Sequence, residues 1–161
     1  YGEEEFNFAQ DHLRILSGLY GLLRPMDLIQ PYRLEMGTRL SGAWGKNLYQ
    51  FWENRITERI NHEMEGTQGD RLLVNLASTE YFKAVRPRHL TSDLVNILFK
   101  EQKGAAFKTI GIHAKKARGL MVDFIIQNRI DNAGHLKDFE RSGYVFSAKL
   151  STQTDWVFIR G

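Results

Sequence analysis

The chain has 161 residues, of which 42% are hydrophobic and 25% are charged, and its formal net charge is +3. This composition predicts one compact folded domain and excludes a chain that is disordered throughout. The absence of cysteine excludes disulfides, thiolate chemistry and cysteine-based zinc or iron–sulfur sites, and it fits a reducing, cytoplasmic location.

The first third of the sequence alternates short regular segments with a long loop. Residues 4–12 predict a short helix with acids in its first turn, and residues 13–18 favour a buried strand. Residues 18–46 contain two prolines and five glycines, which predict a long ordered loop. Loops of this length in compact domains are usually functional or disordered, and the Tyr, Leu, Met and Trp content of this loop argues against disorder.

Asn47 is predicted to cap an amphipathic helix that ends near Gly66. The apolar positions of this helix recur every fourth residue at Leu48, Trp52, Ile56, Ile60 and Met64. That spacing places them on one helical face, so we expect a single helix with this face buried.

The remaining segments predict a mixed α/β (α+β) fold. Residues 71–77 predict a buried strand, and a helix capped by Ser78 follows it and ends before Pro87. Two hairpins are expected, at residues 94–113 and 143–161, and a long helix at 114–130 separates them. The predicted fold is therefore a single compact domain with a mixed sheet flanked by helices.

The segment HAKKARG, residues 113–119, carries the first candidate site. Lys115, Lys116 and Arg118 fall in the first turn and a half of the predicted long helix, where the helix dipole is already positive. Cations there are unfavourable by roughly 0.3–1 kcal/mol each, and the free N–H groups favour an anion. We therefore predict that a phosphate or another polyanion binds here. A surface of solvated cations, or of cations paired with nearby acids, remains the alternative.

The loop SGLYGLLRPMDLIQPYRLEMG, residues 17–37, carries a second candidate site. Arginine side chains match phosphate or carboxylate, and tyrosines offer flat stacking faces, so the loop suits a flat anionic ligand. The alternative is a buried loop whose polar groups satisfy one another. The candidate residues are Ser17, Tyr20, Arg24, Asp27, Tyr32 and Arg33.

The segment NLASTEYFK, residues 75–83, is a third candidate. It places Asn75, Ser78, Glu80 and Tyr81 at a strand end and a helix start, where α/β proteins commonly bind ligands. Glu80 is a candidate general base, although no partner at a readable spacing supports it. A helix cap beside a strand end is the alternative interpretation.

Several site classes have no support in the sequence. The five histidines are scattered without metal-ligand spacing, so no metal site and no cofactor are predicted. No Walker or G-x-G-x-x-G pattern is present, and Ser78 lacks the context of a hydrolase nucleophile. No apolar run reaches the ~18–20 residues that span a bilayer, so no membrane partner is predicted.

The motifs SGLYGLLRP, NLYQFW, NLASTEYFK, AKKARGLM and GYVF…WVF, in this order, resemble the bacterial YaaA peroxide-stress family. The resemblance implies a cytosolic protein that supports hydrogen peroxide resistance and keeps intracellular iron low. It also implies DNA binding through a positively charged cleft, on a mixed α/β fold with a helix-hairpin-helix element. That element is expected upstream, so residues 1–161 are expected to be a C-terminal portion of the family domain. His113 and Thr79 depart from the family, which usually has an aromatic residue and an acid there.

The resemblance assigns roles residue by residue. Lys115, Lys116 and Arg118 match the basic motif of the family, and they are expected to contact DNA phosphates. Arg24, Tyr32 and Arg33 match its loop motif and are expected to assist them.

Three functions remain open from the sequence. The first is a peroxide-stress protein that binds double-stranded DNA without sequence specificity. The second is an enzyme that binds a small molecule, a nucleobase or nucleotide, with the SGLYGLLRP loop and NLASTEYFK. Convergence of Tyr20, Arg24, Asn75 and Glu80 in one pocket would favour it. The third is an iron-related regulator that acts through a protein partner.

Overall fold

The computed structural model describes residues 1–66 and 71–161 and confirms the mixed α/β class. The chain forms two compact units, each with its own secondary structure. Unit 1 comprises Tyr1–Thr67 and Ala77–Ser92, and unit 2 comprises Gln68–Leu76 and Asp93–Gly161. The extent of one domain over residues 1–161 stays a prediction. Across the described residues, no helix has both the length and the apolar character needed to cross a membrane.

Unit 1 begins with the predicted helix and strand. Helix α1, Glu3–His12, has three acids in its first turn, and strand β1, Ile15–Ser17, follows it. A second strand, β2, Gly21–Leu23, pairs antiparallel with β1 inside the segment predicted as loop. Gly21 has a φ of +77°, and a Cβ there would lie 2.7 Å from the Trp52 ring. The hairpin therefore depends on a glycine at this position.

The helix predicted between Asn47 and Gly66 is two helices, α2, Leu48–Trp52, and α3, Arg55–Glu65. The cap is confirmed, since Asn47 Oδ1 accepts a hydrogen bond from Gln50 N at 3.0 Å. The prediction of one continuous helix is wrong because Glu53 adopts a φ of +44°, which interrupts the helical backbone. Trp52 Nε1 donates to the Gly18 carbonyl at 3.0 Å just before this break. The apolar residues recur every fourth position on both sides of the break. The sequence pattern therefore does not reveal that the helix is interrupted.

Helix α4, Thr79–Phe82, completes the regular helices of unit 1. Ser78 caps it as predicted, because its Oγ accepts from Tyr81 N at 3.3 Å. The helix is shorter than the predicted segment and ends well before Pro87.

Unit 2 contains a five-stranded mixed sheet. Its strands are β3, Leu72–Asn75; β4, Asp93–Lys103; β5, Ala106–Lys108; β6, Val145–Phe146; and β7, Asp155–Arg160. The order is β3-β4-β7-β6, and β5 pairs with β4. The β4 strand is parallel to β3 and β7, and the antiparallel pairs β4–β5 and β6–β7 confirm the two predicted hairpins.

The core of unit 2 lies between this sheet and helix α5, Gly111–Gln127. Val95, Ile97 and Phe99 alternate along β4 and are buried, as the period of two in a strand requires. From α5, Ala117 and Met121 are buried against them. The sheet and the helix thereby fix the positions of the polar residues at the end of β4 and on the outer side of α5.

Helix α5 begins three residues earlier than the predicted start at Ala114, and this changes the candidate site. Ala114 N donates to the Ile110 carbonyl at 2.8 Å, so the helical hydrogen bonds begin at Ile110. Lys115, Lys116 and Arg118 therefore lie in the second turn. The prediction that they occupy the helix start is wrong, because the β-branched residues before Ala114 suggested a longer β5. The helix dipole adds little at the second turn, since its effect falls off within the first.

Candidate functional site

The basic motif of α5 has two exposed lysines and one half-buried arginine. Lys115 and Lys116 are exposed, and neither forms an ion pair with a described residue. Asp123, a nearby acid on the same helix, is paired with Arg141. The Nε of Arg118 donates to the Ala114 carbonyl at 3.2 Å, and burial lowers the pKa of Arg118. The two lysines therefore offer free positive charge, whereas the arginine partly folds against its own helix.

Beside this motif, one carboxylate collects three hydrogen-bond donors. Glu101, near the end of β4, accepts at its Oε1 from Tyr144 Oη, Arg160 Nη2 and His113 Nδ1, each at 2.7 Å. The Glu101 side chain is only 14% exposed. We call these four residues the Glu101 cluster. It joins the end of β4, the first turn of α5, the segment before β6 and the end of β7.

The hydrogen bonds of the cluster favour the ionised form of Glu101. The hydrogen bond from Tyr144 is the main cause that lowers the pKa of Glu101, and His113 and Arg160 add to it against the opposing effect of desolvation. Glu101 is therefore ionised at neutral pH and can only accept, so the His113 Nδ1 carries the proton between them. Burial, together with the hydrogen bond to Glu101, raises the pKa of Tyr144 to about 12.

A cavity of about 360 Å³ lies against the cluster in unit 2. Three members of the cluster line it, namely His113, Tyr144 and Arg160, and Lys116 and Gly119 of α5 also line it. Lys116 thus connects the predicted basic motif to a cavity that the sequence did not predict. Two cations and an imidazole around one cavity are groups that can hold an anion.

The raised pKa of Tyr144 predicts a specific alkaline behaviour. A folded-state pKa near 12, above the reference of 10.0, stabilises the fold at pH values below 10. This stability should be lost as the pH rises from about 10 through 12. Ultraviolet titration of tyrosinate should show a phase near pH 12, and Tyr144→Phe should remove that phase. Persistence of that late phase in the variant would assign it to another tyrosine.

The Tyr and Arg loop of unit 1 brings three of its predicted residues together. Ser17 Oγ and Tyr32 Oη lie 2.5 Å apart, and Tyr20 N donates to Ser17 Oγ at 3.0 Å. The Tyr20 and Tyr32 rings meet edge to face with 5.4 Å between centroids. The Tyr20 hydroxyl accepts from Gln30 N at 3.0 Å. These contacts hold the loop together, and the ligand role of the three residues stays a prediction.

The other loop candidates have separate environments. Asp27 Oδ2 accepts from Arg24 N at 2.8 Å, so the aspartate closes a turn and does not pair with the guanidinium. The Arg24 guanidinium lies 3.7 Å from Glu63, and Arg33 is exposed. Their roles in phosphate binding stay predictions.

The NLASTEYFK residues are divided between the units. In unit 1, Glu80 Oε1 accepts from Gly37 N at 2.8 Å, and burial together with the Glu80 charge raises the pKa of Tyr81. Asn75 belongs to unit 2, where its Nδ2 donates to Asn96 Oδ1 at 2.9 Å. Ser78 acts as the helix cap already described. The hydrogen bond to Gly37 gives Glu80 a structural role, and its role as a base stays a prediction.

Two features of unit 1 were missed by sequence reasoning. Glu63 of α3 pairs with Arg14, with Arg59 at 2.7 Å and with Arg24 at 3.7 Å. A cavity of about 270 Å³ is lined by Tyr20, Trp52 and Arg59, among others. The four-residue spacing of Arg59 and Glu63 was a readable signal for one of these pairs, but Arg14 and Arg24 meet Glu63 only in the folded unit. In the described part of the chain, no group of three or more histidines and acids could hold a metal.

Two comparisons with known proteins bear on this geometry. A family model described as peroxide stress protein YaaA matches residues 1–150. A UPF0246 protein of Acaryochloris marina (strain MBIC 11017) is 58% identical over 160 residues, which cover 99% of this chain and 62% of that relative. The chain thus spans 62% of the length of this curated relative. The resemblance drawn from the sequence motifs is confirmed.

Proposed function

Because the chain belongs to the peroxide stress protein YaaA family, we propose that it binds double-stranded DNA without sequence specificity during peroxide stress. The membership supports a peroxide-stress role. DNA binding, and with it the limitation of oxidative damage and of intracellular iron, is the further step of the proposal. The binding surface is the outer side of α5, around Lys115 and Lys116.

The observation that carries the proposal is the free charge of these two lysines. Both side chains are exposed and have no ion pair with a described residue, so no protein group must be displaced before they meet a phosphate. The charge distribution agrees with this position. Unit 2 contains 12 Lys and Arg against 8 Asp and Glu, whereas unit 1 contains 10 against 11. The positive excess of the chain is therefore in the unit that carries α5.

The test is the salt dependence of duplex binding. Each phosphate neutralised by a lysine steepens the slope of log affinity against log salt by about 0.9. We expect Lys115→Ala with Lys116→Ala to flatten that slope by about 2 and to weaken binding about tenfold near 100 mM salt. Fluorescence anisotropy of a labelled duplex between about 50 and 200 mM salt measures both quantities.

The matched control is Lys149→Ala, which removes one exposed lysine of unit 2 from a different element. It should leave the slope nearly unchanged. An identical slope in the wild type and the double variant would exclude α5 as the DNA surface. In peroxide-treated cells, the double variant should also fail to restore low intracellular iron to a strain that lacks the protein.

An enzyme that acts on a nucleobase or nucleotide remains the second candidate. It is supported by the unit 1 cavity, where Tyr20 and Trp52 lie beside Arg55 and Arg59. Aromatic rings with guanidinium groups suit a base and its phosphate. The enzyme hypothesis expected Tyr20, Arg24 and Glu80 of unit 1 in one pocket. Of these three residues, only Tyr20 lines this cavity. Turnover of nucleosides or nucleotides that Tyr20→Ala abolishes would favour the enzyme.

A further inference from the structure

We propose that the cavity beside the Glu101 cluster is a binding site for a phosphate monoester of nucleotide size. The site is separate in kind from a duplex-binding surface, because it is a concave pocket within one unit. Its volume of about 360 Å³ lies in the range of small-molecule pockets, which is roughly 300–1,000 Å³. A phosphate together with part of a nucleoside fits this space better than an ion alone.

The charge of the lining favours an anion. Lys116 and Arg160 are the cations of the lining, and Glu101 is the acid that Arg160 contacts. The Oε1 atom of Glu101 already accepts three hydrogen bonds, so its charge is engaged by the cluster. Lys116 has no ion pair with any residue that the structure describes. A terminal phosphate has a second ionisation near pH 6 and so carries up to two charges, whereas an internal phosphodiester carries one.

The orientation of Arg160 is set before a ligand arrives. Its Nη2 donates to Glu101, its Nη1 donates to the Ser142 carbonyl at 3.2 Å, and its guanidinium lies 4.7 Å from the Tyr144 ring centroid. A guanidinium has five N–H donors, and these contacts leave donors for a ligand. His113 is held in the same way, since the hydrogen bond through Nδ1 leaves Nε2 for a ligand hydroxyl.

Gly119 provides independent support for a ligand at this place. It lies inside the 17-residue helix α5, where a glycine is destabilising relative to alanine. A Cβ at Gly119 would meet nothing within 4 Å, so packing within the protein does not require a glycine. Gly119 lines the cavity. A ligand that lies close to the helix backbone accounts for the missing side chain.

The test uses calorimetric titration with inorganic phosphate, adenosine 5′-monophosphate and adenosine. We expect the monophosphate to bind and adenosine to bind at least about tenfold more weakly, since one tenfold step corresponds to the loss of one good ionic contact. Gly119→Leu keeps every charge and places a side chain in the cavity, so it should weaken the monophosphate about tenfold or more while thermal unfolding stays unchanged or improves. Lys116→Ala should weaken it by a similar factor.

The matched control is Lys115→Ala, because Lys115 is an adjacent exposed lysine that does not line the cavity. It should lower duplex affinity but leave monophosphate affinity unchanged, which separates this site from the proposed DNA surface. A DNA single strand with and without a 5′-phosphate tests a strand end as the third possible source of the phosphate. Preference for the nucleotide or for the phosphorylated strand identifies the source of the monoester, whereas preference for inorganic phosphate would contradict a ligand of nucleotide size. If none of the three binds, or if Gly119→Leu and Lys116→Ala bind as the wild type does, the proposal is overturned.

Discussion

Replacing Phe158 with alanine is expected to lower the free energy of unfolding of unit 2 by about 3–5 kcal/mol. Phe158 lies in β7 and is fully buried. Its ring centroid is 5.5 Å from that of Phe99, 5.7 Å from that of Phe139 and 5.6 Å from that of Phe146. Alanine would leave a cavity at the centre of this aromatic group, which the surrounding strands cannot fill without moving.

Hydrogen exchange of the backbone amides of β4 and β7 measures this loss within unit 2. Phe158→Leu should cost less, because leucine restores part of the lost volume. The control is Ile112→Ala, since Ile112 is 65% exposed on α5 and should change stability by no more than about 0.5 kcal/mol. A loss below about 1 kcal/mol in Phe158→Ala would show that this aromatic group contributes little to the stability of unit 2.

The strands of this core were predictable because their side chains carry a local signal. The buried residues of β4 alternate with less buried ones, and the short apolar runs of β3, β6 and β7 are flanked by turn residues. The caps at Asn47 and Ser78 were also predictable, because the capping bond forms within three residues of the cap. In each of these cases the structure is determined over a span that a sequence window covers.

The errors occur at positions where the local sequence pattern does not determine the backbone. The positive φ of Glu53 divides a helix whose apolar pattern continues on both sides. The start of α5 was placed three residues late because Thr109, Ile110 and Ile112 favour strand by propensity. This second error affected the site directly. It based the predicted anion binding of Lys115 and Lys116 on the helix dipole, whereas in the structure the prediction depends on their exposure.

The Glu101 cluster could not be predicted from the sequence, because its residues are far apart along the chain. His113, Tyr144 and Arg160 are 12, 43 and 59 residues from Glu101 along the chain. No motif links residues at such separations, and each residue taken singly is an ordinary surface type. The sheet brings them together because β4 and β7 run parallel, so that Glu101 pairs in register with Arg160. The sequence singled out Lys116 of the cavity lining, and only the fold revealed the cluster beside it.

Glu63→Gln is the second substitution from which we expect a large effect, a loss of roughly 2–3 kcal/mol in the stability of unit 1. The Glu63 side chain is only 10% exposed and is shared by Arg14, Arg24 and Arg59. Glutamine keeps the shape but removes the charge, so three guanidinium groups lose their common partner. The expected loss is below the 3–5 kcal/mol of a fully buried pair, because Arg24 and Arg59 remain partly in water.

The dependence of this loss on pH identifies its origin. Burial tends to raise the pKa of Glu63, but hydrogen bonds and charge from Arg14, with further contributions from Arg59 and Arg24, outweigh it and lower the pKa below 4.5. A lowered folded-state pKa stabilises the fold above the unfolded value and ceases to do so as the pH falls through the folded one. The difference between wild type and Glu63→Gln, measured by hydrogen exchange of the α3 amides, should therefore be constant near neutral pH and shrink below about 4.5.

Glu58→Gln is the matched control, since Glu58 is an exposed acid on the same helix. It should change stability little at any pH. A pH-independent loss in Glu63→Gln would point to altered packing of α3 and not to the ionic contacts. Conversely, a loss that disappears in acid would establish that one carboxylate keeps three arginines in place beside the unit 1 cavity, where Arg59 is also part of the lining.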